Sequence, residues 1–525
     1  MRSFVLILSF AVVACGPQSS DPELDELYAE AQALNRPPAN AQFSDLWGRS
    51  GNAWKPTSRL PDFSWAGYAG GERRIPRWPK GIDVRDFGAK ANDGDDDSAA
   101  FTRALAAADR DTAVFVPAGR WHLRKIVELN RNRVVLRGEG SGPQGTVLVV
   151  DRSLKAVYGV PPGKDPEFWA SHGGFLHIGG KGSEDKLADL IGGGKRGEHW
   201  IEVDDASKLE AGEIVTLYLD MNGDVERELY DGQFQLNGGC LDDLELPVQI
   251  DRIDGRRVRL LQPLRLDLPR SASPRLKKAP AVSHVGVEDL RFEFQSGPYE
   301  GHHREDGFNG IEVERAHNLW VRNVTFHDAD LGIILERTKF ATVEDVKFTA
   351  DRQGREGVQA HHGLTLSNAA DSLVQQVAFE LDLWHELTLV RAAHGNVFRR
   401  VSGREVNLDH HGEAPFENLF TNFGAVDRWS WLSGGGAACK GPHSGARGTF
   451  WNMKNLSLPR RYDDTDGDTD GETENLPWVS IQTTLIGDVP EATAKNQTGR
   501  WVEDLPRLWP EDLYRAQYVA RRTAR

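Results

Sequence analysis

Two ladders of apolar residues run through the second half of the chain. The segments LWVRNVTF (319–326), ATVEDVKF (341–348), SLVQQVAF (372–379), NVFRRVSG (396–403) and NLFTNFGA (418–425) align with apolar pairs at Val321/Val324, Val343/Val346, Val374/Val377, Phe398/Val401 and Phe420/Phe423. Successive steps are 22, 31, 24 and 22 residues. A second ladder precedes each of these: GIEVE (310–314), GIILE (332–336), GLTLS (363–367), ELTLV (386–390) and NLDHH (407–411), in steps of 22, 31, 23 and 21. The long step holds extra residues, TADRQGREGVQAH (349–361). Two short period-two segments per repeat, with no helical periodicity between them, predict an all-β solenoid of stacked coils rising about 4.8 Å each, a parallel β-helix. The leucine-rich alternative needs an LxxLxLxxN pattern that is absent, and a propeller needs about forty residues per blade.

Upstream of the coils, IDVRDFGAKANDGDDDSAAFTRALAAAD (82–109) predicts a strand, a turn and a helix. Asp95, Asp96, Asp97 and Ser98 cap that helix, which runs through Ala108, with carboxylates at its positive end. AVFVPAGRWHL (113–123) reads as the next strand and a Pro-Ala-Gly turn. These motifs, with DFSWAGYAGGERRIP (62–76) ahead of them, resemble the pectate-lyase superfamily. The resemblance covers residues 62–150 and, through the coils, reaches about 455. It implies a right-handed parallel β-helix whose N-terminal helix plugs the open end. It says little of the reaction, because that superfamily hosts lyases, hydrolases and epimerases. Residues 196–272 break the coil pattern with alternating stretches around Gly turns and predict an inserted small β-subdomain.

The domain reading is therefore 1–15 signal peptide, 16–75 tether and lead segment, 76–195 N-terminal β-helix, 196–272 insertion, 273–458 coils with the active face, and 459–525 C-terminal cap. MRSFVLILSFAVVAC has one Arg, a short apolar run and then Cys15, resembling a bacterial lipobox. That implies lipidation at Cys15, a polar tether in SSDPEL, and an outer-membrane location reached through the lipid anchor alone.

Composition adds limits. The 525 residues carry a net charge of −15, which argues against nucleic acid as a partner, and 54 Gly argue against an all-helical protein. An anionic polysaccharide, the partner the resemblance implies, then requires a local cationic cleft. Cys240 and Cys439 are the remaining cysteines, and a disulfide between them is one option. There is no CxxC and no HExxH, so no metal ligand set is assigned. Asp466, Asp468, Asp470 and Gly471 mimic the start of a calcium loop, but Pro477 stands where its last ligand belongs, so calcium stays only a candidate cofactor.

The candidate chemistry gathers late in the coils. Seven of sixteen histidines (361, 362, 385, 394, 410, 411 and 443) fall within 361–443. Alternation from Leu364, Leu387 and Leu408 puts Glu386, Asp409 and His411 on an outer face, with His362 and His385 at its edge and His410 on inward parity. His361 and His394 are read as structural. Asp409 orienting His410 or His411 gives a catalytic base suited to neutral pH, with His385, His362 or His443 as further acid–base groups. Arg391, Lys440 and Arg447 are candidates to neutralise a uronate carboxylate, and Trp429, Trp431 and Trp451 to stack on sugars. Gly434, Gly435 and Gly436 read as a mobile edge of the cleft. The RxPxxR motif of pectate lyases is missing, so their calcium-dependent arginine mechanism is not transferred. The leading expectation is a polysaccharide lyase acting by β-elimination. The alternatives are a glycoside hydrolase using Glu386 and Asp409, a uronan C5-epimerase, and a non-catalytic binding module.

Overall fold

The computed structural model of the chain describes residues 22–232, 240–355, 357–404, 406–424, 438–453, 482–489 and 500–524. Cys15, Trp429, Trp431, Gly434–Gly436 and the acidic run 466–471 lie outside them. The two ladders become two parallel sheets. In the longer sheet Val321, Val343, Val374, Phe398, Phe420 and Phe450 are register partners on successive coils. In the shorter sheet Ile311, Ile333, Leu364, Leu387 and Leu408 do the same. These residues share one core between the sheets. The fold is a parallel β-helix.

Inside that core Phe292, Phe326, Phe348 and Phe379 stack face to face at 5.3, 5.3 and 4.9 Å. Gly310, Gly332 and Gly363 face this stack: a Cβ at each would lie 2.3, 2.1 and 2.4 Å from a ring carbon. Only glycine permits so close an approach. The alternation of the shorter sheet therefore breaks just before each inward Ile or Leu. On the next coil the partner of Phe379 is Gly403, and the residue at the glycine position is Glu386.

The N-terminal helix Ser98–Ala107 plugs the stack, with Phe101 against Trp121. Its capping differs from the expectation. Asp96 accepts from the amide and hydroxyl of Ser98, whereas Asp97 accepts from the amides of Lys90 and His122, tying the helix to the first coil. The inserted unit is wider than 196–272. Its six antiparallel strands begin at Lys186–Asp189 and end at Arg275–Lys278, and these two terminal strands pair with each other. Distant pairing at the stem, invisible in local alternation, sets the true limits.

Two further features depart from the expected outline. The tether is helical from Pro22 to Leu34 and packs on the C-terminal helix Leu513–Thr523 through Leu27, Tyr514 and a Glu30–Arg515 ion pair. From there the lead segment runs back along the longer sheet against the coil order. Gln42 bridges Leu508, Tyr514 donates to the carbonyl of Ala66, the Tyr68 amide donates to the Thr342 hydroxyl while its ring packs on Trp320, and Lys80 pairs with Ala113 on the first coil. Among the described residues no helix is long and apolar enough to cross a membrane.

Candidate active site

The site lies on the outer side of the last coils of the shorter sheet. His362 and His385 are register partners on Ala360–Ser367 and Leu383–Val390, and their rings stack at 4.7 Å. Thr388 and Asp409 are partners one column on. His362 Nδ1 lies 2.9 Å from the Thr388 hydroxyl, His411 Nδ1 is 3.1 Å from Asp409 Oδ2, and His385 Nδ1 is 3.5 Å from that same oxygen. Asp409 is buried, which alone would raise its carboxyl, but His385 and His411 outweigh this and hold it far below the carboxylate range. Asp409 is thus a fixed negative charge facing two imidazoles. His411 keeps 28% of its side-chain surface exposed, against 10% for His385. A bulky substrate reaches it more readily than His385.

A loop between the strands Val282–Phe294 and Asn309–Glu314 closes one side of the cluster. His302 on this loop sits 4.5 Å from His361, 5.8 Å from His385 and 5.4 Å from Trp384, ring centre to ring centre. Behind it Tyr299 donates a 2.6 Å hydrogen bond to Glu305, whose other near neighbour is His361 Nδ1 at 3.3 Å. Burial raises the Glu305 carboxyl to about 8. The extra residues of the long repeat step buttress the loop: Arg352 pairs with Asp330, lies over the Tyr299 ring at 5.2 Å, and the Gln353 carbonyl accepts from the Tyr299 amide. Burial, then neighbouring imidazoles, push His361 and His362 well below the usual histidine value, and burial brings His385 to about 4. These three imidazoles are therefore held neutral at neutral pH, with lone pairs available.

Several expected residues lie elsewhere. His410 points into the core, its ring 5.5 Å from Phe420 and its Nδ1 at the Leu408 carbonyl. Glu386 also points inward. The phenylalanine stack stops at Gly403, and the carboxylate occupies the glycine position there, accepting from the amides of Leu383 and Asn407. Burial raises it to about 8. Glu386 and Asp409 thus face opposite sides of the sheet and form no hydrolytic carboxylate pair. Arg447 is buried and bound to Glu417 and Glu228 under the inserted unit. Trp451 is wholly buried. Arg391, more than half exposed, is held by Glu413 at 3.1 Å. His394 is buried and stacked on Phe416.

His443 and Lys440 do meet the site: the amides of Gly412 and Glu413 donate to their carbonyls at 3.3 and 2.7 Å. Burial lowers His443 to about 4, opposed by Asp409. Cys439, beside Lys440, forms a disulfide with Cys240 of the inserted unit, with a Cα–Cα distance of 5.4 Å. Tyr299, His302, Glu305 and Trp384 escaped sequence reading. The available signal was the doublet: His302-His303, His361-His362 and His410-His411 are three His-His pairs, and two of them meet in space.

No protein-family model and no curated protein sequence matches the chain. Solved structures similar to it include the tailspike protein gp49 from Pseudomonas phage LKA1, at 13% identity and TM-score 0.47, covering 71% of this chain and 63% of that one. The chain thus spans less than two thirds of that tailspike. Another is the A-module of the Azotobacter vinelandii mannuronan C-5 epimerase AlgE6, at 13% identity and TM-score 0.35, covering 77% of this chain and 85% of that one. A third is an iota-carrageenase complexed to iota-carrageenan fragments, at 12% identity and TM-score 0.34, covering 70% and 58%. These likenesses are of fold.

Proposed function

We propose that the chain is a carbohydrate-active enzyme, a lyase that cleaves a uronate polysaccharide by β-elimination with His411 as base. The observation that carries this reading is the Asp409–His411 pair: a buried, permanently ionised carboxylate 3.1 Å from an imidazole more exposed than that of His385 on the same oxygen. With Nδ1 turned to Asp409, Nε2 of His411 is the nitrogen left for substrate. It takes the proton from C5. The C5–H electron pair becomes the C4–C5 double bond, and the C4–O4 bond breaks. The imidazolium so formed, held by Asp409, can return its proton to the departing O4, which closes the cycle with one titrating group. Trp384, half-buried beside His302, offers a sugar-stacking face. The resemblance of residues 62–150 to the pectate-lyase superfamily supports the substrate class, and a lipid anchor at Cys15 belongs to the same reading.

Incubation with alginate, pectin, ulvan, glucuronan and glycosaminoglycans tests it. Rising ultraviolet absorbance from an unsaturated product, lost in His411→Ala, is the expected result. New reducing ends without absorbance would overturn the lyase. Activity surviving in His411→Ala would overturn the base.

A further inference from the structure

We propose that His302, His361 and His385 form a binding site for one divalent transition-metal ion, zinc being the reference case. One ring nitrogen from each residue lies within 4.8 Å of the others. Bonds of about 2.0–2.1 Å to a tetrahedral ion put its ligands about 3.3 Å apart, a contraction that side-chain rotation can supply. Three imidazoles plus an open fourth position is the arrangement of catalytic zinc sites, whereas calcium takes oxygen ligands. The residues come from three places, the 299–308 loop and two adjacent coils, so no local motif announces the set.

Three further observations point the same way. The surroundings complete the ligands: Glu305 Oε1 lies 3.3 Å from His361 Nδ1, and Asp409 Oδ2 lies 3.5 Å from His385 Nδ1. An acidic oxygen thus stands near each Nδ1, the kind of partner that a metal-bound imidazole takes when its other nitrogen holds the ion. Next, neither buried Nδ1 makes a hydrogen bond to that oxygen in this structure. Leaving such an atom unsatisfied costs about 1–3 kcal/mol, so packing alone is a poor reason to gather these rings. Finally, the elimination needs a cation at the C6 carboxylate. Arg447 is spent on Glu417, and Arg391 on Glu413. Of the expected cations this leaves Lys440, and an ion at the three histidines would add a second charge on the His385 side of Asp409. This last role rests on the lyase reading; the binding site itself does not.

The test is zinc titration of the full, tag-free chain after chelator stripping, read by calorimetry and by metal analysis of the dialysed protein. One equivalent should bind. His302→Ala, on a half-exposed loop and so tolerated by the fold, should weaken binding about 100-fold, while His303→Ala next to it should stay within about threefold. Cobalt substituted at the site should give the intense visible bands of four-coordinate geometry. No bound equivalent, or an unchanged affinity in His302→Ala, would overturn the site. A zinc-binding chain that forms no unsaturated product on any uronan keeps this site and removes the lyase. A chain that binds one equivalent of zinc yet cleaves at full rate once stripped keeps both the lyase and the site and removes the ion's role at the C6 carboxylate.

Discussion

Replacing Asp409 by Asn tests the chemistry with the smallest steric change. Asn keeps the shape and can still accept from His411, but it carries no charge to face the imidazolium that appears when the C5 proton is taken. Two unit charges at the 3.1 Å separation seen here interact by about 5 kcal/mol at an effective dielectric of 20 and about 1.3 kcal/mol in bulk water. Asp409 is buried while His411 is a little over one quarter exposed, so an intermediate value of about 3 kcal/mol applies. At about 1.4 kcal/mol per tenfold, kcat should fall by roughly 150-fold. The assay is initial-rate absorbance on whichever uronan gives the unsaturated product, with circular dichroism and thermal unfolding as fold controls. An Asp409→Asn enzyme that folds normally and keeps kcat within threefold of the parent would refute the role of the Asp409 charge.

Glu386→Gln should leave kcat within about threefold, because the side chain faces the core; a hundredfold loss on the same assay would return that carboxyl to the chemistry. Glu417 is shared by Arg196, Arg265 and Arg447 beneath the inserted unit. Glu417→Ala takes a carboxylate from all three, although Arg265 keeps Asp371 and Arg447 keeps Glu228, and should cost about 3 kcal/mol in denaturant unfolding, a loss below 1 kcal/mol counting against the network. Acid should destabilise the fold through its buried histidines. Burial lowers His317 to about 3 and His394 to about 4. The unfolded chain then binds protons below its own value near 6.5 while the native state does not, so stability is full above that pH and falls as pH drops towards 4. At pH 5.5 each group costs about 1.4 kcal/mol. Denaturant midpoints at pH 7.5 and 5.5 measure this, and His394→Gln should remove about half of the difference due to the pair.

The coil registers were legible because each rung repeats the same inward residues, so one alignment fixes both sheets. Legibility ended where alternation did. Counting outward from Leu387 put Glu386 on the solvent face, but the preceding coils place glycines inward at that column to admit a phenylalanine ring, and Glu386 follows the glycines. Arg447 is close to the histidines in sequence and bound to the inserted unit in space, a distinction that spacing cannot make. The 299–308 loop lies some fifty residues before the late histidines, and only folding brings it to them. The 31-residue step was visible, but its purpose, to prop that loop through Arg352, needed the three-dimensional arrangement.

The lead segment changes what kind of object the solenoid is. A stack in which each coil touches only its neighbours behaves as a one-dimensional chain, free to fray from either end and to lose rungs singly. Here the strap from Gln42 to Lys80 touches the last coil and the first, and the two terminal helices close on each other. Both ends are thereby wired into one loop, so peeling a terminal rung also loosens the opposite terminus. Unfolding becomes all-or-none over a length at which open arrays melt piecemeal. During synthesis the same closure waits for the helix Leu513–Thr523, so the coils made first stay unlatched until that helix has been made.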